Sequence, residues 1–207
     1  MIEIILLTKT LNATEAGMTN TNDSYVLIPQ KFDATILFPT QGSQLIRDYI
    51  SGDDYQFRFE SGREQRLYQL GKYCRDNNVQ CGDILTIERR SINNRYRLFI
   101  NAKRKHSIVF LQKHKEGYFI IRNDIGSNIL NKVFEFSIYG NSYNLRIRFE
   151  GNIRKRKDSP TELPFYSVET IDGVNLQEKV NDSYVELNFQ TKSVNVPDDV
   201  KFEMIRQ

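Results

Sequence analysis

Short apolar runs of about five residues, each closed by turn-forming residues, recur along the whole chain, and no helical pattern longer than about eleven residues interrupts them. In the first half the runs fall at 3–7, 24–28, 45–50, 55–59, 84–88 and 96–100. In the second they fall at 107–111, 118–122, 134–138, 144–149, 165–170 and 183–189. Ser51-Gly52-Asp53-Asp54 reads as a four-residue hairpin turn. Glu116-Gly117, Gly140-Asn141, Asp172-Gly173 and Asn181-Asp182 punctuate the second half. Helical spacing is confined to two short stretches, 30–37 after Pro29 and 67–77, with one further turn at 128–133. The expectation is an all-β or β-rich α+β fold.

The longest aliphatic run, Ile4-Ile5-Leu6-Leu7, is far short of the roughly 20 residues a bilayer-spanning helix needs, so no membrane partner is expected. No basic stretch followed by an apolar run opens the chain, and the expected compartment is the cytoplasm. Cys74 and Cys81 have no zinc-ligand spacing, and His106 and His114 are the only histidines, so neither a metal nor another cofactor is expected.

Charge is distributed unevenly. Residues 1–57 hold three basic and seven acidic side chains, residues 58–105 hold twelve against five, and residues 106–207 hold 14 of each. A cationic block of this kind suits a polyanion, most often nucleic acid. The change near Lys105 places a domain boundary there, giving units 1–105 and 106–207. Arg154-Lys155-Arg156-Lys157, preceded by Arg146 and Arg148, forms a second basic run, in a loop before Asp158-Ser159-Pro160.

Four segments, in order, carry a resemblance. They are Ile4-Ile5-Leu6-Leu7-Thr8; Val26-Leu27-Ile28-Pro29-Gln30-Lys31-Phe32 with Phe38-Pro39; Tyr55-Gln56-Phe57-Arg58-Phe59; and the helix 70–77 continued by Asn78-Val79-Gln80-Cys81-Gly82-Asp83-Ile84-Leu85-Thr86-Ile87-Glu88-Arg89. Arg97-Leu98-Phe99-Ile100-Asn101-Ala102-Lys103-Arg104 follows as a closing strand with a basic tail. Residues 3–104 thereby resemble the B3 DNA-binding domain of plant transcription factors and of some bacterial restriction enzymes. The resemblance implies a seven-stranded open barrel with two short helices, followed here by a β-rich C-terminal unit. It also implies two loop arms that embrace the major groove of double-stranded DNA.

On that reading the first arm spans 8–23 and offers Lys9, Thr10, Asn12, Thr14, Asn20, Thr21 and Asn22, short donors and acceptors suited to base edges or phosphates. The second begins at Arg58 and offers Glu60, Ser61, Arg63, Gln65, Arg66, Tyr68 and Gln69; arginine forks suit guanine and phosphate, glutamine suits adenine. Lys72, Arg75, Lys103, Arg104 and Lys105 are phosphate candidates. Catalysis within the chain is not expected: Glu178-Lys179 and Glu169-Thr170-Ile171 do not give Glu-x-Lys, Lys113-His114-Lys115 lacks a phosphodiesterase spacing, and no Gly-rich phosphate loop exists. The resemblance implies the recognition part of a bacterial restriction system, with a nuclease or NTPase domain or subunit as partner. A small endonuclease with its active site in the second half, or a transcriptional regulator, is the alternative.

Overall fold

The computed structural model describes residues 2–17, 24–93, 95–197 and 200–206. The chain divides into two compact units, one of Met1–Lys105 with Asp198–Gln207, the other of His106–Pro197. The fold is all-β with short helices.

In the first unit β1 (Ile2–Thr10), β2 (Tyr25–Ile28), β3 (Gly42–Asp48), β4 (Asp54–Ser61), β5 (Gln65–Tyr68), β6 (Ile84–Ile92) and β7 (Arg95–Lys103) join a last strand, β15 (Lys201–Arg206), in one sheet. The strand order is β15-β1-β6-β7-β3-β4-β5-β2, with β3–β7 parallel and the other pairings antiparallel. The sheet therefore has eight strands rather than the seven expected from residues 1–105. β15 pairs with residues 3–8 of β1, supplying partners for an edge of backbone donors and acceptors that would otherwise be open. The chain's end, grouped with the second unit on the basis of sequence, supplies an edge strand to the sheet of the first.

Alternation sets the core. Tyr55, Phe57 and Phe59 point inward from β4 while Gln56, Arg58 and Glu60 point outward. Phe38 stacks on Phe59 with ring centroids 4.7 Å apart, and Tyr73 of α1 (Leu70–Asp76) meets Tyr55 edge-on at 5.1 Å. The two sequence-expected helices shrink. The stretch 30–37 is reduced to one 3-10 turn, Ala34–Ile36, with Asp33 accepting from the Thr35 amide. The stretch 67–77 begins as strand, because residues 65–68 pair with both β2 and β4, and the helix starts only after Gln69 turns the chain at φ 71°.

The hairpin joining β3 to β4 is held by Asp48, which is 2% exposed. Its carboxylate accepts from the amides of Ile50 (2.9 Å) and Ser51 (2.6 Å) and from the Tyr73 hydroxyl (3.0 Å). Burial alone would raise its affinity for a proton; these donors outweigh burial and hold the carboxyl below the usual aspartate range. A depressed folded value contributes stability above the unfolded pKa of about 3.9, lost as the pH falls through the folded value. Denaturant titrations should therefore show wild type more stable than Asp48→Asn at pH 7, with the gap narrowing below about pH 4. A gap that does not change with pH would contradict this role.

The second unit is a closed barrel of β8 (Ile108–His114), β9 (Gly117–Asn123), β10 (Val133–Ile138), β11 (Asn141–Arg154), β12 (Glu162–Thr170), β13 (Tyr184–Asn188) and β14 (Ser193–Asn195). The order around it is β10-β11-β12-β9-β8-β13-β14, with a parallel contact at Ser137 and Ser193 closing the ring. Leu111, Tyr118, Phe136, Leu145, Ile147, Val168 and Leu187 fill the interior, joined by Leu176 of α2 (Leu176–Lys179). Gly117 permits the approach of β12: a Cβ there would lie 2.5 Å from Phe165 Cζ and 2.6 Å from the Tyr166 carbonyl oxygen.

Candidate nucleic-acid interface

Register brings the outward side chains of β4, β5 and β2 into two rows. Arg58, Tyr68 and Tyr25 face one another across the three strands, and Glu60, Arg66 and Leu27 form the next row. The arginines lie on aromatic faces. The Arg58 guanidinium is 5.1 Å from the Tyr68 ring centroid, that of Arg66 is 4.5 Å from the Tyr25 centroid, and the two tyrosine rings are 5.6 Å apart. Each arginine also has a local carboxylate: Arg58 pairs with Glu60 at 3.2 Å and Arg66 with Glu64. These ion pairs are solvent-accessible, and exposed pairs exchange at little cost.

The second sequence-expected arm folds as β4, the Gly62-Arg63-Glu64 turn and β5 and so makes up most of this face; the first arm meets the opposite end of the short β2–β5 ladder from that turn. Ser24, where the first arm rejoins the sheet, accepts from the Leu70 amide at 3.2 Å beside the Tyr25–Tyr68 end. The Gly62-Arg63-Glu64 turn lies at the Ile28–Gln65 end. Gln30 fixes that turn by donating to the carbonyls of Gly62 (3.1 Å) and Arg63 (3.0 Å), and Gln41 donates to Ser61 at 3.0 Å. Arg63 projects from the turn exposed, and its guanidinium forms no ion pair among the described residues. Four strand residues span about 13 Å, comparable with the roughly 12 Å width of the major groove.

Two candidates prove to be internal. Lys9 is 9% exposed; its Nζ pairs with Glu15 at 2.6 Å and donates to the Leu27 carbonyl at 2.9 Å. Gln65 is 4% exposed, accepts from the Ala34 amide at 2.9 Å and donates to the Phe32 carbonyl at 2.7 Å, thereby tying down the 3-10 turn. Asn12 works within the first arm, accepting from the amides of Thr14 and Glu15 at 3.0 Å. Thr14 is half-buried in that turn. Asn20, Thr21 and Asn22 lie outside the described residues.

The remaining candidates scatter. Thr10 and Lys103 both pair with Ile84 at the end of the β1–β6–β7 ladder, with Arg104 exposed beyond it; Lys105 follows, its amide donating to Asp83 at 3.0 Å. Lys72 pairs with Asp76 at 2.6 Å over the Tyr55 ring, Arg75 and Gln69 are exposed, and Ser61 is half-buried at the end of β4.

Sequence reasoning missed Tyr25, which carries no charge to mark it. It also missed the extension of the cationic face onto β3 and β7 by Arg47 and Arg97. Arg47 pairs with Asp54 at 2.8 Å, and Arg97 is exposed beside Leu98, which is buried. The signal was present in β7, where Arg97 and Phe99 alternate with buried Leu98 and Ile100.

Among the described residues no group of three or more His, Cys, Asp and Glu is arranged to hold a metal ion, and no helix is long and apolar enough to cross a membrane. Cys74 and Cys81 are buried and form no disulfide, and burial pushes the Cys74 thiol up to about 11, away from the reactive thiolate.

No protein-family model matches the sequence, and no curated protein matches it. Among solved structures, a chain of the Arabidopsis FUS3–DNA complex is similar with a TM-score of 0.38 and 14% identity, over 47% of this chain and 94% of that one.

Proposed function

We propose that the first unit binds double-stranded DNA, with the outward face of β2, β4 and β5, which carries most of the second arm, against the major groove and a loop at each end. The observation that carries this reading is the Arg58–Arg66–Tyr25–Tyr68 cluster, set between the two loops on a short ladder of groove-like span. Arg63 supplies a free guanidinium fork at the turn, and Arg58 and Arg66 exchange exposed glutamate partners for phosphate or for guanine O6 and N7. The ordered resemblance of residues 3–104 to B3 domains supports the same face and the same arms. It also supports the narrower role we propose, recognition of a specific site within a bacterial restriction system, with cleavage supplied by another domain or subunit.

The test is binding of the purified chain to a random-sequence 30-base-pair duplex and to its single strand. Duplex binding is expected to weaken by on the order of 10³-fold between 50 and 200 mM salt if about six phosphates are neutralised. Selection from random duplexes is expected to return one short motif, and plasmid incubated with Mg²⁺ to stay uncut. An affinity indifferent to salt rejects the DNA reading, whereas cutting of the plasmid rejects the non-catalytic role.

A further inference from the structure

The barrel unit carries a cationic surface that the proposed DNA face of the first unit does not use. Lys113 and Lys115 sit where β8 turns into β9, and Arg154, Lys155, Arg156 and Lys157 sit at the end of the β11–β12 hairpin. Some 40 residues separate the two groups in sequence, and the fold joins them: Lys155 Nζ donates to Gln112 Oε1 of β8 at 2.6 Å. A register shift between Phe149 and Gly151 lies at the root of this hairpin end, with Gly151 at φ 117°.

The other arginines of the unit are neutralised. Arg146 and Arg148 converge on Glu169 at 2.9 and 3.1 Å, and buried Arg122 pairs with Asp124 at 2.9 Å. At the hairpin end two of the lysines are positioned without being cancelled, because Lys113 donates to Asn181 and Lys155 to Gln112, both neutral amides. Arg154 is 3.9 Å from Glu162, with both side chains more than half exposed. Among the described residues Lys115, Arg156 and Lys157 form no ion pair, with only Glu116 and Asp158 as carboxylates in their own turns. The cations feel one another. The His114 imidazole lies below its usual range, first through burial and then through Lys115 and Lys155, and Lys155 is lowered by burial and by Arg156.

We infer that this surface of the barrel unit is a second, sequence-independent contact for the phosphate backbone of double-stranded DNA. The inference rests on the DNA reading of the first unit. Residues 154–161 (Arg-Lys-Arg-Lys-Asp-Ser-Pro-Thr) contain no aromatic side chain on which single-stranded bases would stack, and the large apolar side chains that the hairpin exposes, Phe149 (50%) and Leu163 (38%), are too few to seat it in a lipid interface. Six cations (Lys113, Lys115, Arg154, Lys155, Arg156, Lys157) against three carboxylates (Glu116, Asp158, Glu162), with no aromatic side chain among residues 154–161, fit a duplex backbone best.

The test uses the full chain, a combined Arg154→Gln, Arg156→Gln, Lys157→Gln variant, and a charge-matched control, Lys132→Gln, Lys179→Gln, Lys192→Gln. Affinity for the random 30-base-pair duplex is measured from 50 to 200 mM salt. Every phosphate that is no longer neutralised takes about 0.9 off the slope of log K against log salt, so the hairpin variant should drop by about 2–3 and the control by almost nothing. Equal slopes for wild type and hairpin variant, or an equal drop in the control, overturn the inference while leaving the first-unit reading in place. A wild type that binds no duplex at 50 mM sinks the first-unit reading itself. Tighter binding to the single strand, abolished in the hairpin variant, overturns the assignment to duplex.

Discussion

Glu15→Ala is expected to destabilise the protein by about 3–5 kcal/mol, the range for removing one partner of a buried ion pair and stranding the other. Glu15 is 2% exposed, and its carboxylate takes three partners: Lys9 Nζ at 2.6 Å, the Asn12 amide at 3.1 Å and the Leu27 amide at 3.3 Å. Lys9 simultaneously holds the Leu27 carbonyl. The pair therefore joins β1, the start of the first arm and β2, strands that are not neighbours in the order of the sheet. Glu15→Ala leaves an ammonium buried with one carbonyl, and two backbone amides without acceptors. Glu15→Gln keeps an acceptor for the amides and should cost clearly less. Urea unfolding of both variants measures the difference as a shift in midpoint at unchanged slope. A loss below about 1 kcal/mol for Glu15→Ala would show that the pair is not the fastening described.

That same pair shows where the sequence stops being legible. The strands follow from residues in their own neighbourhood: Tyr55, Phe57 and Phe59 alternating with Gln56, Arg58 and Glu60 dictate a half-buried strand wherever it is placed. Lys9 and Gln65 look solvent-facing because their type is usually exposed. What buries Lys9 is a carboxylate presented by a turn six residues on, together with a carbonyl on another strand. What buries Gln65 is a set of backbone groups more than 30 residues away, at Phe32 and Ala34. Helix 67–77 is shortened at its start for the same reason, since strand partners on both sides outweigh a local helical spacing. Residues 201–206 carry no expectation from the sequence and form β15 by pairing with the β1 edge. Closure of the barrel is still less local, resting on a single parallel contact between Ser137 and Ser193. The arginine rows of β4 and β5 were legible as charge, but the tyrosines that seat them emerge only from register.

Arg66→Ala is expected to lower affinity for the selected duplex by on the order of 10–100-fold, the range for losing one bidentate base contact. Random duplex should suffer a smaller loss. Arg66 stands at the centre of the face, seated on Tyr25 and within 3.4 Å of the Tyr68 hydroxyl, so its fork is pre-oriented and little rotamer freedom is lost on binding. Its present partner, Glu64, competes with DNA, so Glu64→Gln should strengthen binding to both duplexes by removing a carboxylate that repels phosphate. The opposite signs separate contact from scaffold, since a general loosening of the hairpin would weaken binding in both variants. Equal losses for selected and random duplex in Arg66→Ala would make Arg66 a phosphate contact. Tyr25→Ala supplies the third arm of the comparison. It leaves the guanidinium charge in place and removes its seat, so its loss should be smaller than that of Arg66→Ala and should concentrate on the selected sequence. If Tyr25→Ala and Arg66→Ala both leave duplex affinity unchanged, the face of β2, β4 and β5 is not where DNA lies.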